Sequence, residues 1–239
     1  MEDEAPTAAA QTIPSWLRTP PPREDEPAPP LKPSSALAAA DAPDRPADGP
    51  FLAQAAAAGR FAHLLLQMLP EIVPDQRAPV AQALGLARAG GVPADKRASI
   101  IADALALLAD PALAALFGPG SLAEVPIAGM IELSQGERRP VTGQIDRLAI
   151  SATDIVIADF KTTARPPRDE AAIPESTLAQ LAVYRALMEQ IYPDRQVRAL
   201  LVYTATLARL EPDPKRLDAV LARLGSDKPS TFVAVDQAS

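Results

Sequence analysis

The chain has 239 residues, 48% hydrophobic and 22% charged, with 27 prolines, no cysteine and a formal net charge of −7. That length supplies one substantial domain plus additional segments, and the absence of cysteine excludes disulfides, cysteine-ligated zinc and iron–sulfur clusters. With no apolar run of transmembrane length and no basic-then-apolar leader, a cytoplasmic location is expected.

The charge is unevenly spread. Residues 1–50 carry four basic and nine acidic side chains, or −5, and residues 51–239 carry 19 and 21, or −2. That balance neither favours nor excludes a polyanionic partner. Residues 1–50 are rich in proline, alanine and acid (P-P-P-R-E-D-E-P-A-P-P-L-K-P). Too few apolar side chains are present there to form a core, so the segment reads as a flexible linker or tether. Its exception is Ser15-Trp16-Leu17, which holds the chain's single tryptophan and is a candidate docking patch.

From residue 51 the pattern becomes helical. Helices are expected over 51–69, stopped by Pro70, then over 78–89, 94–108 and 112–117. The hydrophobic period next switches from 3.6 to 2, giving strands near 123–133, 141–150 and 155–161. A long helix over 173–191 carries Pro174 and Glu175 in its first turn and stops before Pro193. Strands at 197–204 and 208–211, a helix at 214–224 and an edge strand at 231–235 complete the chain. The expected fold class is α/β. An N-terminal helical part (51–118) precedes a core (119–211) made of a mixed central sheet flanked by helices.

Chemistry concentrates in two adjacent strands. Gly143-Gln144-Ile145-Asp146-Arg147-Leu148 is followed by Ile157-Ala158-Asp159-Phe160-Lys161-Thr162. A symmetric turn between Ala152 and Thr153 pairs residues whose numbers sum to 305. Asp146 and Asp159 are such a pair, with Cβ atoms roughly 5 Å apart, and Lys161 projects from the same face as Asp159. Carboxylates this close repel unless a cation lies between them. A hard divalent ion suits such oxygen ligands, and the lysine can orient or deprotonate a water beside it. The competing view is that Asp146 pairs with Arg147 and that Asp159–Lys161 is a solvated charge pair. Against it, Leu148, Ile150, Ile155 and Ile157 share the charged face while Val156, Ala158 and Phe160 make the opposite face apolar. A strand apolar on both faces is a covered one, where charges are costly unless paired or metal-bound.

Three further features stand in order around this pair: His63 in G-R-F-A-H-L-L-L-Q, Glu124 in L-A-E-V-P-I-A-G, and Gln180 and Tyr184 in Q-L-A-V-Y. Taken alone, each has an ordinary explanation: a helix histidine, a strand-edge acid, and two residues one turn apart on a helix. Together the series resembles the PD-(D/E)xK nuclease superfamily, and within it the RecB-like nuclease domains of AddA-type helicase–nuclease subunits.

That resemblance implies a metal-dependent DNA nuclease of double-strand break repair, a bacterial, nucleoid-associated activity. Asp146, Asp159, His63 and the Phe160 carbonyl would be metal ligands for Mg²⁺ or Mn²⁺. Lys161 would position the attacking water, Glu124 would occupy the first acidic position, and Gln180 and Tyr184 would hold DNA or support the site. The implied partners are DNA, chiefly a single-stranded end, an AddB-type subunit and a helicase motor. The chain contains no G-x-x-x-x-G-K-[ST] phosphate loop, so no ATP site is expected. A split-gene or excised nuclease domain is the corresponding expectation. The alternative is a catalytically silent module of the same fold, docking to a helicase–nuclease complex.

Overall fold

The computed structural model describes residues 30–33, 49–133, 136–163 and 165–224. Trp16 and the strand expected at 231–235 lie outside these residues. Four helices come first: α1 (Gly49–Met68), α2 (Pro74–Arg88), α3 (Ala94–Ala109) and α4 (Ala114–Phe117). The remainder is β1 (Ser121–Glu132), β2 (Arg138–Ile150), β3 (Asp154–Lys161), α5 (Glu175–Ile191), β4 (Gln196–Tyr203), β5 (Ala208–Leu210) and α6 (Pro214–Leu224).

Four helix starts differ from expectation by two residues or more, those of α1, α2, α4 and α5, and for α2 and α5 the cause is a proline. The residue before a proline is pushed out of the helical region. Val73 (φ −57°, ψ 141°) and Ile173 (φ −67°, ψ 129°) are accordingly extended. Helix α2 therefore begins at Pro74, four residues early, with Pro79 inside it. Helix α5 begins two residues late, at Glu175 with Pro174 as its N-cap residue. Residues 170–172 instead form a separate 3-10 turn, capped by the Asp169 carboxylate, which accepts the Ala172 N–H at 3.1 Å.

The five strands lie in sequence order. All neighbours are antiparallel except β3 and β4, whose parallel pairing is bridged by α5. Both faces of β3 are covered. Val156, Ala158 and Phe160 join the core built by α1, α3 and α4, whereas Ile155 and Ile157 join Leu148 under Val183, Leu187 and Met188 of α5. The alternation read from the sequence is the alternation observed. Among the described residues no single helix is long and apolar enough to cross a membrane.

β2 outruns β3. Its ladder with β3 covers only Arg147 to Ile150, which leaves an open edge over 138–145. Leu31 bridges to that edge in parallel fashion at Val141. Its N–H donates to the Pro140 carbonyl at 2.8 Å, and its carbonyl accepts the Thr142 N–H at 3.1 Å. Pro33, two residues on, has no N–H with which to extend the pairing.

Candidate active site

Register places the acids. The β2–β3 pairs Arg147↔Ala158 through Ile150↔Ile155 all sum to 305, so the next rung is Asp146 with Asp159. The β1–β2 pairs sum to 270 on both sides of Glu124, which sets Glu124 opposite Asp146 on the other flank. Three carboxylates thus stand in a row across three adjacent strands. Glu124 drops out of regular pairing because its φ is +51°, a conformation uncommon for a side chain of this kind.

The Asp146–Asp159 rung is not a backbone rung. There β2 and β3 part, and the Asp146 carboxylate fills the fork, its Oδ2 accepting the Phe160 N–H at 2.7 Å. From the α1 side, His63 Nε2 lies 3.1 Å from the Phe160 carbonyl. A carbonyl only accepts, so Nε2 carries the proton in this contact. Nδ1 then faces Asp146 Oδ1 at 3.6 Å and Glu124 Oε1 at 3.9 Å. Ligand atoms of His63, Glu124 and Asp146 all fall within 4.8 Å of one another.

Asp159 and the Phe160 carbonyl, both expected as ligands, stand beside that trio. Asp159 is 4% exposed, and its Oδ2 is 2.9 Å from Lys161 Nζ. The Phe160 carbonyl is engaged by His63. Lys161 Nζ also donates to Gln180 Oε1 at 3.3 Å, while the Lys161 carbonyl accepts the Thr204 N–H at 2.9 Å. The lysine is therefore aimed from both ends. The Asp159–Lys161 pair is not a solvated one, and Arg147 does not neutralise Asp146. Arg147 turns to the opposite face, 1% exposed, where it donates to the Leu116 carbonyl and the Ser121 hydroxyl.

Gln180 and Tyr184, read from the sequence as DNA-binding candidates, both point inward. Gln180 is 8% exposed and Tyr184 2%; the Tyr184 hydroxyl accepts the Gln144 N–H at 3.2 Å. Tyr184 lies close against Gly143, where an added Cβ would sit 2.6 Å from its Cε1 and hydroxyl. The glycine of G-Q-I-D is thus a close-approach glycine. Gln144 is an addition the sequence reading did not single out. Its Nε2 donates to Glu124 Oε2 at 2.8 Å, and its signal was strand alternation, since it shares a face with Asp146.

Charge decides what this cluster can hold. Burial, the neighbouring Asp159 and, more weakly, Glu124 push the Asp146 carboxyl from 3.8 up to about 7, against the opposing pull of His63 and the Phe160 N–H. A carboxyl whose ionisation is opposed first by burial and then by two neighbouring acids is one that a bound cation would favour in its charged form. The donors, one imidazole nitrogen and carboxylate oxygens, suit a hard or borderline divalent ion. The cluster fits a metal.

A mixed sheet carrying acids at a strand fork, with a lysine two residues beyond the central aspartate, is the arrangement of a nuclease-type fold. The chain belongs to the PD-(D/E)XK nuclease superfamily, whose family model matches residues 39–235. No curated protein matches the sequence. Among solved structures the chain is similar to the one titled "Crystal structure of SSO0001". The two share 16% sequence identity over 70% of this chain and 72% of that one, with a TM-score of 0.33. That superposition is too loose to bear on the site.

Proposed function

We infer that this chain is a Mg²⁺- or Mn²⁺-dependent deoxyribonuclease of the AddA/RecB type, serving double-strand break repair beside a separate helicase motor and an AddB-type subunit. The observation that carries the reading is the joint presence of a cation-fitting trio (His63, Glu124, Asp146) and a half-buried lysine (Lys161), held by Asp159 and Gln180, on one fork of the sheet. The order of motifs from His63 to Tyr184 supports the finer assignment.

In this reading His63, Glu124 and Asp146 hold the cation, with Asp159 completing its oxygen environment. When bound, the cation supplies Lewis-acid stabilisation of the phosphate undergoing in-line attack. Lys161 orients the attacking water and stabilises charge on the phosphate oxygens. Gln180 keeps the ammonium in place, Gln144 holds the Glu124 carboxylate, and Tyr184 supports the strand that carries Asp146.

The test is cleavage of end-labelled single-stranded and double-stranded DNA by the purified chain with Mg²⁺, Mn²⁺ or EDTA, beside Lys161→Ala. Metal-dependent cutting lost by a hundredfold or more in the variant is the expected result. A folded, metal-binding protein that cuts neither substrate, alone or with motor and partner subunit added, would instead be a silent docking module.

A further inference from the structure

Two hollows open on either side of the carboxylate row. One, of about 500 Å³, lies beyond Lys161 and is walled by Thr163, Arg165, Thr177 and Tyr203. The other, of about 420 Å³, lies against α1 and is walled by Arg60, His63, Gln67 and Glu124. Arg60, His63 and Gln67 fall at helical spacings of three and four, so α1 turns one face into its hollow. The hollows adjoin where α1 crosses the end of β3: an added Cβ on Gly59, in the wall of the second, would lie 3.5 Å from Thr162 Oγ1, in the wall of the first.

Each hollow has room for a nucleoside and its phosphate, and each carries one arginine on its rim. Arg60 and Arg165 are exposed, and among the described residues neither makes an ion pair. Thr163 Oγ1 accepts the Arg165 N–H at 3.2 Å, which bends the loop beside the first hollow. The floor between them is acidic, so a polyanion crossing it needs positive charge at both ends of its path. Guanidinium groups, planar and permanently charged, suit phosphate oxygens there.

We propose that the strand to be cut runs through both hollows, with Arg165 holding the phosphate on one side of the scissile linkage and Arg60 the phosphate on the other. This rests on the nuclease reading and adds the substrate's path to it. Both arginines are positioning residues: they hold the strand and take no part in the chemistry.

The experiment uses the full chain, Mg²⁺ and a short end-labelled single-stranded oligonucleotide carrying one uncharged methylphosphonate at successive linkages. Arg165→Ala and Arg60→Ala are each expected to raise KM about tenfold with kcat nearly unchanged. Each should also lower the log–log salt dependence of KM by about 0.7, the share of one phosphate contact on a single strand. Wild-type protein should lose about tenfold when either flanking linkage is neutral. Arg165→Ala should be indifferent to neutralisation on one side only, and Arg60→Ala on the other side only. Wild-type cutting with both variants still sensitive to both linkages, or with unchanged KM, overturns the path and leaves the nuclease reading standing. A folded wild-type protein that cuts no DNA with Mg²⁺ or Mn²⁺, alone or with motor and partner subunit added, overturns both.

Discussion

Replacing Asp146 with asparagine is expected to stabilise the metal-free protein above neutral pH while abolishing its response to Mg²⁺. The carboxyl ionises near 7 in the folded chain and near 3.8 when free of these neighbours. A folded-state value above the unfolded one means that the proton is held more tightly in the native protein. The associated stability is complete below about pH 3.8 and is lost as pH rises through about 7. Between pH 5 and pH 8 the wild type therefore sheds about 3 kcal/mol, two units at 1.36 kcal/mol each. Asparagine keeps an oxygen for the Phe160 N–H and carries no charge, so it sheds none of this. Urea unfolding of both proteins in EDTA, at pH 5 and at pH 8, should show the variant's advantage growing by that amount. Added Mg²⁺ should raise the wild type by mass action and leave the variant where it was. An advantage that does not change with pH would refute the reasoning, because the carboxylate would then carry no strain for a metal to relieve.

Gly143→Ala drives a methyl into Tyr184, and overpacking of this kind costs about 1–3 kcal/mol, with about 1 kcal/mol more for the Gln144–Tyr184 bond. Chemical denaturation measures it, and a loss under 0.5 kcal/mol would show that the ring moves aside freely. Arg147→Met removes the donor to the Leu116 carbonyl and one of the two hydrogen bonds of the Ser121 hydroxyl, for about 1–3 kcal/mol, yet calorimetric Mg²⁺ affinity should stay within about threefold because Arg147 faces away from the acids. Leu31→Pro removes the N–H given to Pro140 and should cost about 1 kcal/mol, seen as faster hydrogen exchange at Thr142.

The central hairpin was legible because its turn is short and polar and its strands are apolar on both faces; register then follows by counting from Arg147 to Ile150, but counting does not show that the strands part at the next rung and that the Asp146 carboxylate fills the fork. The expected helix start at Ile173 overran the pre-proline restriction on that residue, whereas α2 starts four residues ahead of expectation because Pro74 fits a first helical turn. The inward turn of Tyr184 was not legible from spacing. A residue one turn from Gln180 shares its face, but only packing of α5 on the sheet shows that the face is buried. Nor could the Leu31 bridge be read: one rung on an open edge needs no β pattern, and proline-rich composition conceals it. The His63 contact with the Phe160 carbonyl spans 97 residues, a pairing made by tertiary packing alone.

Glu124 holds a left-handed backbone inside a strand, at φ +51°, where glycine would relieve about 1–2 kcal/mol. Stability alone therefore pulls this position away from glutamate, and under the proposed function the carboxylate's work pulls it back. In a lineage freed from cutting phosphodiesters, position 124 should be among the first to drift, toward glycine or asparagine, while the Asp159–Lys161 pair lingers because it is bonded into the fold. Across paralogous chains, that single column would then sort working centres from retired ones.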